Sequence, residues 1–425
     1  MTGWAYRLCN CRRRLLRQHT AIHRSNRKGI ETMKSTILSV LSAFLLVVVL
    51  LTSAAQAESV LRGTYFNPKV STGLPWLDYY HLHKNDVNKE LSDLVDKTGI
   101  NFIDIQVVVP ATLKTRKVPP SDPNASISTW ANMNTMKNLV VFLDYCYSKN
   151  VSVEIDLSNN MWIPYAIETK LHIANDKWWP VPDNDPWTES IIWYTQIIEY
   201  VEENVKDKRA IALWDMSGNY HWGGGESVLW DTPENPKIKQ YTERFVKKVW
   251  PHFYKAGERP KGSPIMLPIL VENWWSKNPK DRLSAFYNLK KWLVYDLKMP
   301  PDYWVMTTYV KSDPATDGYY YLKNIVRILG AENAHKIIST DFKGPGHEHD
   351  DPPGTIIDRS DLTGSEMFQW NFNKAKEYKF AGWWWWSYRD GADPYGVPAK
   401  WGIRDDNDNW REDLVKVIAQ QKRLD

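Results

Sequence analysis

The chain has 425 residues, 43% of them hydrophobic, which is enough apolar material for one large core and excludes a disordered or fibrous protein. Its formal net charge is +4, but residues 1–57 hold nine basic residues and one acidic residue, and the remaining 368 residues carry 45 basic against 49 acidic, a net charge of −4. A mildly acidic chain is not built to neutralise phosphates, so nucleic acid is not expected as a partner.

The N-terminal segment reads as targeting sequence. Residues 1–32 form a basic leader with Arg12, Arg13 and Arg14, or else translation starts at Met33. Residues 33–57 have the layout of a signal peptide: Lys34, an apolar run from Ile37 to Leu51, then Ala55-Gln56-Ala57 as a small-x-small cleavage site. The run is short for a membrane span, so no stable membrane insertion is expected after cleavage, and the product is expected to be secreted or periplasmic. Cys9 and Cys11 leave with the leader. Cys146 then stands alone, at helical spacing in an apolar stretch, and reads as a buried thiol.

Residues 58–425 divide into eight strand-then-helix units. The expected strands are Arg62–Asn67, Phe102–Val109, Val151–Leu157, Ala210–Met216, Ile265–Val271, Trp304–Val310, Lys336–Phe342 and Phe380–Trp386. The expected helices lie near Asp86–Thr98, Thr129–Lys149, Thr188–Val205, Pro236–Phe253, Asp281–Leu297, Gly318–Leu329, Ser360–Tyr378 and Trp410–Gln421. The strands read as near-continuous apolar runs, as buried parallel strands do. Alternating strand and helix implies a parallel sheet, and eight units imply an α/β fold closed as a single (β/α)8 barrel. A doubly wound open sheet is the alternative; no glycine-rich phosphate loop follows the first strand to favour it.

The connections divide by chemistry. Those entering strands are short and plain, such as Lys97-Thr98-Gly99 and Lys149-Asn150. Those leaving strands are long and rich in Trp, Asp, Asn and Gly, and in a barrel they all open on one face. Asp215 ends the fourth strand, followed by Asn219, His221, Trp222 and Glu226. Glu272 and Trp274 end the fifth, Tyr309 follows the sixth, Asp341 ends the seventh, and Trp386 and Asp390 follow the eighth. Asn67 ends the first. The chain contains 23 Trp and 22 Tyr, more flat apolar surface than a core requires, so several of them are expected to bind sugar rings.

Two carboxyl groups facing each other across an aromatic floor suit glycoside hydrolysis, one protonating the leaving oxygen and the other attacking or activating water. A structural aspartate at the rim is the plainer reading of either residue alone. The segments Ser339-Thr340-Asp341-Phe342-Lys343-Gly344, Thr308-Tyr309 and Gly382 through Ser387 resemble the retaining (β/α)8 glycoside hydrolases of the cellulase, mannanase and β-glycosidase type. That resemblance implies Asp341 as nucleophile, Tyr309 beside it, Trp386 as the floor of the cleft and an acid/base after the fourth strand. Asp215-Met216-Ser217-Gly218 puts Asp215 in the acid's place; another register puts Asn219 there and leaves no acid. The family's glutamates are absent in either register. Aspartate is one methylene shorter, which would widen a retaining gap of about 5–5.5 Å toward the inverting range of about 6.5–9.5 Å. Three readings follow: an inverting enzyme, a retaining enzyme with a shifted backbone, or a barrel that binds sugar without cutting it. Glu272 and Glu226 are longer acids that stand ready to replace either partner, Glu272 the better placed.

The expected site is therefore Asp215, Asp341 and Glu272 for catalysis, with Asn67, Asn219, His221, Trp222, Trp274, Tyr309, Trp386 and Asp390 binding a carbohydrate. No cofactor and no metal is expected, and the chain is expected to act as a monomer. His347-Glu348-His349-Asp350-Asp351 has metal-binding residue types but reads as a solvated loop, and His81-Leu82-His83 lacks the partner histidines of a metallohydrolase barrel.

Overall fold

The computed structural model describes residues 60–70, 76–107, 122, 124–157, 187–215, 243, 247, 250–251, 265–266, 268–270, 287–307, 318–342, 364–392, 398–399, 402–405 and 407–421. Residues 1–59, with the expected leader and signal peptide, and the candidates Asn219, His221, Trp222, Glu226, Glu272, Trp274 and Tyr309, with the loop 347–351, lie outside these residues.

All eight expected strands form. They are β1 (Leu61–Tyr65), β2 (Phe102–Gln106), β3 (Ser152–Asp156), β4 (Ile211–Asp215), β5 in two segments (Ile265–Met266 and Pro268–Leu270), β6 (Trp304–Thr307), β7 (Ile337–Phe342) and β8 (Gly382–Trp385). Every pairing between them is parallel. β1 lies between β2 and β8, and the order continues through β3 and β4 on one side and through β7 and β6 on the other. The first segment of β5 pairs with β4 and the second with β6, so the fifth strand is engaged on both sides and the circuit closes. This is a (β/α)8 barrel.

Among the described residues, six of the eight expected helices form. α1 (Trp76–Thr98) follows β1, α2 (Met133–Ser148) follows β2, α3 (Trp187–Asn204) follows β3, α4 (Gly318–Leu329) follows β6, α5 (Gly364–Glu377) follows β7, and α6 (Glu412–Gln421) closes the chain. α1 starts ten residues before the expected Asp86. Its first turns bury Trp76, Leu77 and Tyr80 but expose Tyr79 and Leu82, and His83 departs from helical geometry, which hides the helical period there. His81 and His83 thus belong to a helix, and the His81 Nδ1 lies 3.1 Å from Asn138 Nδ2. The short returns to the strands have local causes. Gly99 ends α1 at φ 68° with its N–H on Val95 O, and Asn150 ends α2 at φ 57° with its N–H on Tyr147 O, both left-handed positions that stop a helix.

Two apolar regions hold the fold. The larger lies between sheet and helices and includes Phe66, Ile103, Ile105, Val153, Ile155, Trp214 and Trp385. The smaller joins Tyr65, Phe102, Leu213, Val305, Ile338 and Trp384, one residue from each of six strands, which is possible only inside the barrel. Much of the indole excess is spent on this packing. Trp214, Trp250, Trp292, Trp383 and Trp385 are all fully buried. Trp214 Nε1 donates to Glu202 at 3.1 Å and Trp250 Nε1 to Met299 O at 2.8 Å, so these indoles are core members with satisfied polar atoms and not sugar platforms.

Candidate active site

The strands are not uniformly apolar. β2 reads Phe-Ile-Asp-Ile-Gln and β3 Ser-Val-Glu-Ile-Asp, and the period of two sends Ile103, Ile105, Val153 and Ile155 outward to the helices. Asp104, Gln106, Glu154 and Asp156 take the other face, and all are buried. The expectation of continuous apolar strands is corrected here: toward their C-terminal ends, β2 and β3 line the barrel with polar side chains.

The register aligns these residues in rows. Tyr65 pairs with Asp104 and Asp104 with Glu154. One level further toward the C-terminal ends, Gln106 pairs with Asp156, and Asp156 with Asp215. Position 215 therefore lies at the end of β4, one strand from the buried Asp156. Position 341 lies in β7 where the register with β8 slips: Ser339 pairs with Trp383 and Phe342 with Trp385, which leaves one extra residue in β7 between them. Such a bulge locally changes which face the next side chain takes.

Tyr65 joins the polar and aromatic parts of this wall. Its hydroxyl donates to Gln106 Oε1 at 3.3 Å. Burial, and then the negative charge of Asp104 and Asp156, push the phenol far above its ordinary range, so it stays protonated and remains a donor. Its ring stacks on Trp386 with centroids 4.4 Å apart and planes 13° from parallel. Trp386 immediately follows β8, is half-buried, and lies 6.2 Å from Trp384 at a 40° tilt. The peptide between Trp386 and Ser387 is cis. Trp384 Nε1 in turn donates to Glu154 Oε2 at 3.1 Å, across the barrel interior.

Two expected sugar ligands are engaged within the protein instead. Asn67 Nδ2 donates to Arg389 O at 3.1 Å, and the Arg389 N–H donates to Asn67 Oδ1 at 3.0 Å, so the amide clamps the main chain after β8. The Asp390 side chain is 2% exposed; Arg411 holds both its oxygens, at 2.8 and 2.6 Å, and the Gly402 N–H adds a bond at 2.5 Å. Asp104, Gln106, Glu154 and Asp156 were not singled out from sequence, although the alternation in β2 and β3 marks them.

The sequence matches no family model and no curated protein. Solved structures do match the fold. A GH5_18 glycoside hydrolase from Bifidobacterium longum subsp. longum ATCC 55813 superposes with a TM-score of 0.56 and 11% identity over 86% of this chain and 79% of that one. A GH5_18 variant from Streptomyces cattleya, in complex with Manβ1-4GlcNAc, gives 0.54 and 10% over 86% and 80%. An exo-β-1,4-mannosidase from Opitutaceae bacterium strain TAV5 gives 0.52 and 13% over 87% and 61%. Identity this low establishes the fold alone: the chain is a (β/α)8 barrel of the kind on which these glycoside hydrolases are built.

Proposed function

We propose that this chain is an exported glycoside hydrolase that cleaves a poly- or oligosaccharide with a pair of carboxylic acids in a Trp-lined cleft. The observation that supports it best is positional. Asp215 ends β4, Asp341 sits at the bulge ending β7, and Trp386 follows β8, the neighbour of β7 in the strand order, all at the C-terminal end of the barrel. In this reading Asp215 protonates the leaving oxygen, and Asp341 attacks the anomeric carbon or activates water against it. Glu272 is the replacement if either aspartate fails the role. Trp386 lies beneath the scissile sugar, with Asn219, His221, Trp222, Trp274 and Tyr309 supplied by the loops of the same face.

Solved relatives of the fold include complexes with Manβ1-4GlcNAc and an exo-β-1,4-mannosidase, so β-mannosides are the first substrates to offer. A second reading has one specific feature in its favour. Both proposed acids are aspartate where the resembled family has glutamate, which suits a barrel that binds a glycan without cutting it.

The test is reducing-sugar release from Manβ1-4GlcNAc, β-mannans, β-glucans, xylans and bacterial exopolysaccharides, with Asp215→Asn and Asp341→Asn alongside. Release by the wild type, reduced about 100- to 10,000-fold in either variant, is the expected result. Retention on a glycan with no release selects the binding barrel, and full activity in both variants removes the assignment of the acids.

A further inference from the structure

We infer that Tyr65 is a positioning residue that sets the plane of the Trp386 floor; the inference rests on the reading of Trp386 as a sugar platform. Trp386 lies beyond the last residue of β8 and is half-buried, so its own strand does not fix its indole. Tyr65 does so in two ways. Its ring covers one indole face at 4.4 Å and 13°, and among the described residues Trp384 is the other ring in contact, tilted and farther away. Its carbonyl accepts the Tyr388 N–H at 2.8 Å, which fixes the main chain two residues beyond the indole. Thr64 Oγ1 adds a bond to Trp385 O at 2.8 Å on the other side.

Tyr65 is itself immobilised. It is buried, it packs in the inner apolar group with Phe102 and Leu213, and its hydroxyl is tethered to Gln106. The arrangement is a rigid ring backing a less constrained one. The backed face is occupied, so a sugar would use the opposite face. An indole released from its backing gains rotamers, and a ligand must then reorder it.

A stacking platform binds ground state and transition state alike, so its loss raises KM and leaves kcat nearly unchanged. Tyr65→Leu keeps apolar volume and removes the aromatic face. KM is expected to rise about three- to tenfold, the range of an aromatic pair contact, with kcat within about twofold of wild type. Tyr65→Phe keeps the ring and is expected to restore KM to within about twofold. Leu143→Ala is the packing control: Leu143 is fully buried in the outer core on α2, outside the inner group. It is expected to lower the melting temperature and leave KM unchanged.

Wild-type KM in Tyr65→Leu overturns the inference, as does an equal rise in Leu143→Ala. A rise in Tyr65→Phe as large as in Tyr65→Leu assigns the effect to the hydroxyl and overturns the stacking account. If Tyr65→Leu does not fold, Tyr65→Met carries the same expectation. If the wild type binds a glycan without cutting it, affinity electrophoresis on that glycan replaces KM, with the same ratios expected. A wild type that neither cuts nor binds any glycan in the panel overturns the proposed function, and this inference with it.

Discussion

At position 154 a carboxylate is buried inside a barrel, 1% exposed, and receives an indole N–H from the far wall. Such a group is costly unless paired, so its chemistry decides what can replace it. Glu154→Gln retains an oxygen for Trp384 and is expected to unfold within about 1 kcal/mol of wild type, whereas Glu154→Leu strands the Trp384 N–H and is expected to lose about 1–3 kcal/mol. Denaturant unfolding of the two variants tests the difference. The same residue shows why the inner site was only partly legible in the sequence. Phe102, Asp104 and Gln106 alternate with Ile103 and Ile105, and that pattern alone marks a polar inner face on β2. Reading the strand as uniformly apolar hid it. Asn67 is different. Its partner is the main chain of Arg389, 322 residues away, and no local pattern reveals such a clamp. That positions 215 and 341 fall at the ends of strands was legible because strand ends can be located from the short plain turns that precede each strand.

Residues 386–392, 402–405 and 407–411 are held together by charge. Arg389 pairs with Glu90 of α1 at 2.8 Å and with Asp408, and Arg404 reaches Asp408 at 3.0 Å and the Tyr388 hydroxyl at 3.2 Å. Arg411 holds Asp390 from the start of α6. Removing that guanidinium leaves a carboxylate with 2% exposure and no counter-ion, so Arg411→Met is expected to cost about 3–5 kcal/mol in denaturant unfolding. Burial pushes the Asp408 carboxyl up, but Arg389, with help from Arg404 and Lys69, outweighs it and holds the group below its ordinary value of 3.8. A carboxyl depressed in the folded state contributes stability above its unfolded pKa and loses it as pH falls through the folded one. The acid limb of stability is therefore expected to flatten in Asp408→Asn, measured by thermal melts from pH 6 down to pH 2. Equal steepness in variant and wild type would remove Asp408 from this role. The helices themselves were largely legible, and α4 has the expected ends, because their apolar faces are continuous. α1 was not, since the exposed Tyr79 and Leu82 in its first turns and the interruption at His83 leave no single period to read.

For the whole molecule, the closed barrel makes one prediction about the thiol of Cys146. Cys146 is fully buried on α2, and burial pushes its pKa well above the ordinary thiol value. A chain beginning at residue 58 is expected to show no thiol reactive toward Ellman's reagent in buffer and one in denaturant. A native count of one would place Cys146 at the surface. Eightfold alternation was the most legible property of the chain, because it is repeated along its length and survives an error in any one unit.

β1 is the first barrel strand made and β8 the last, yet they are neighbours, with Leu61 beside Gly382 and the Thr64 hydroxyl on the Trp385 carbonyl. Thr64 and Trp385 are separated by 321 residues. At about 5–20 residues per second, a growing chain needs roughly 16–64 s to cover that distance. Throughout that interval one side of β1 has hydrogen-bonding groups and no strand to receive them. A nascent chain of this protein is thus a substrate for holding factors until its last strand arrives, and a message that stalls before codon 382 yields a product whose first strand stays open to pairing with another chain.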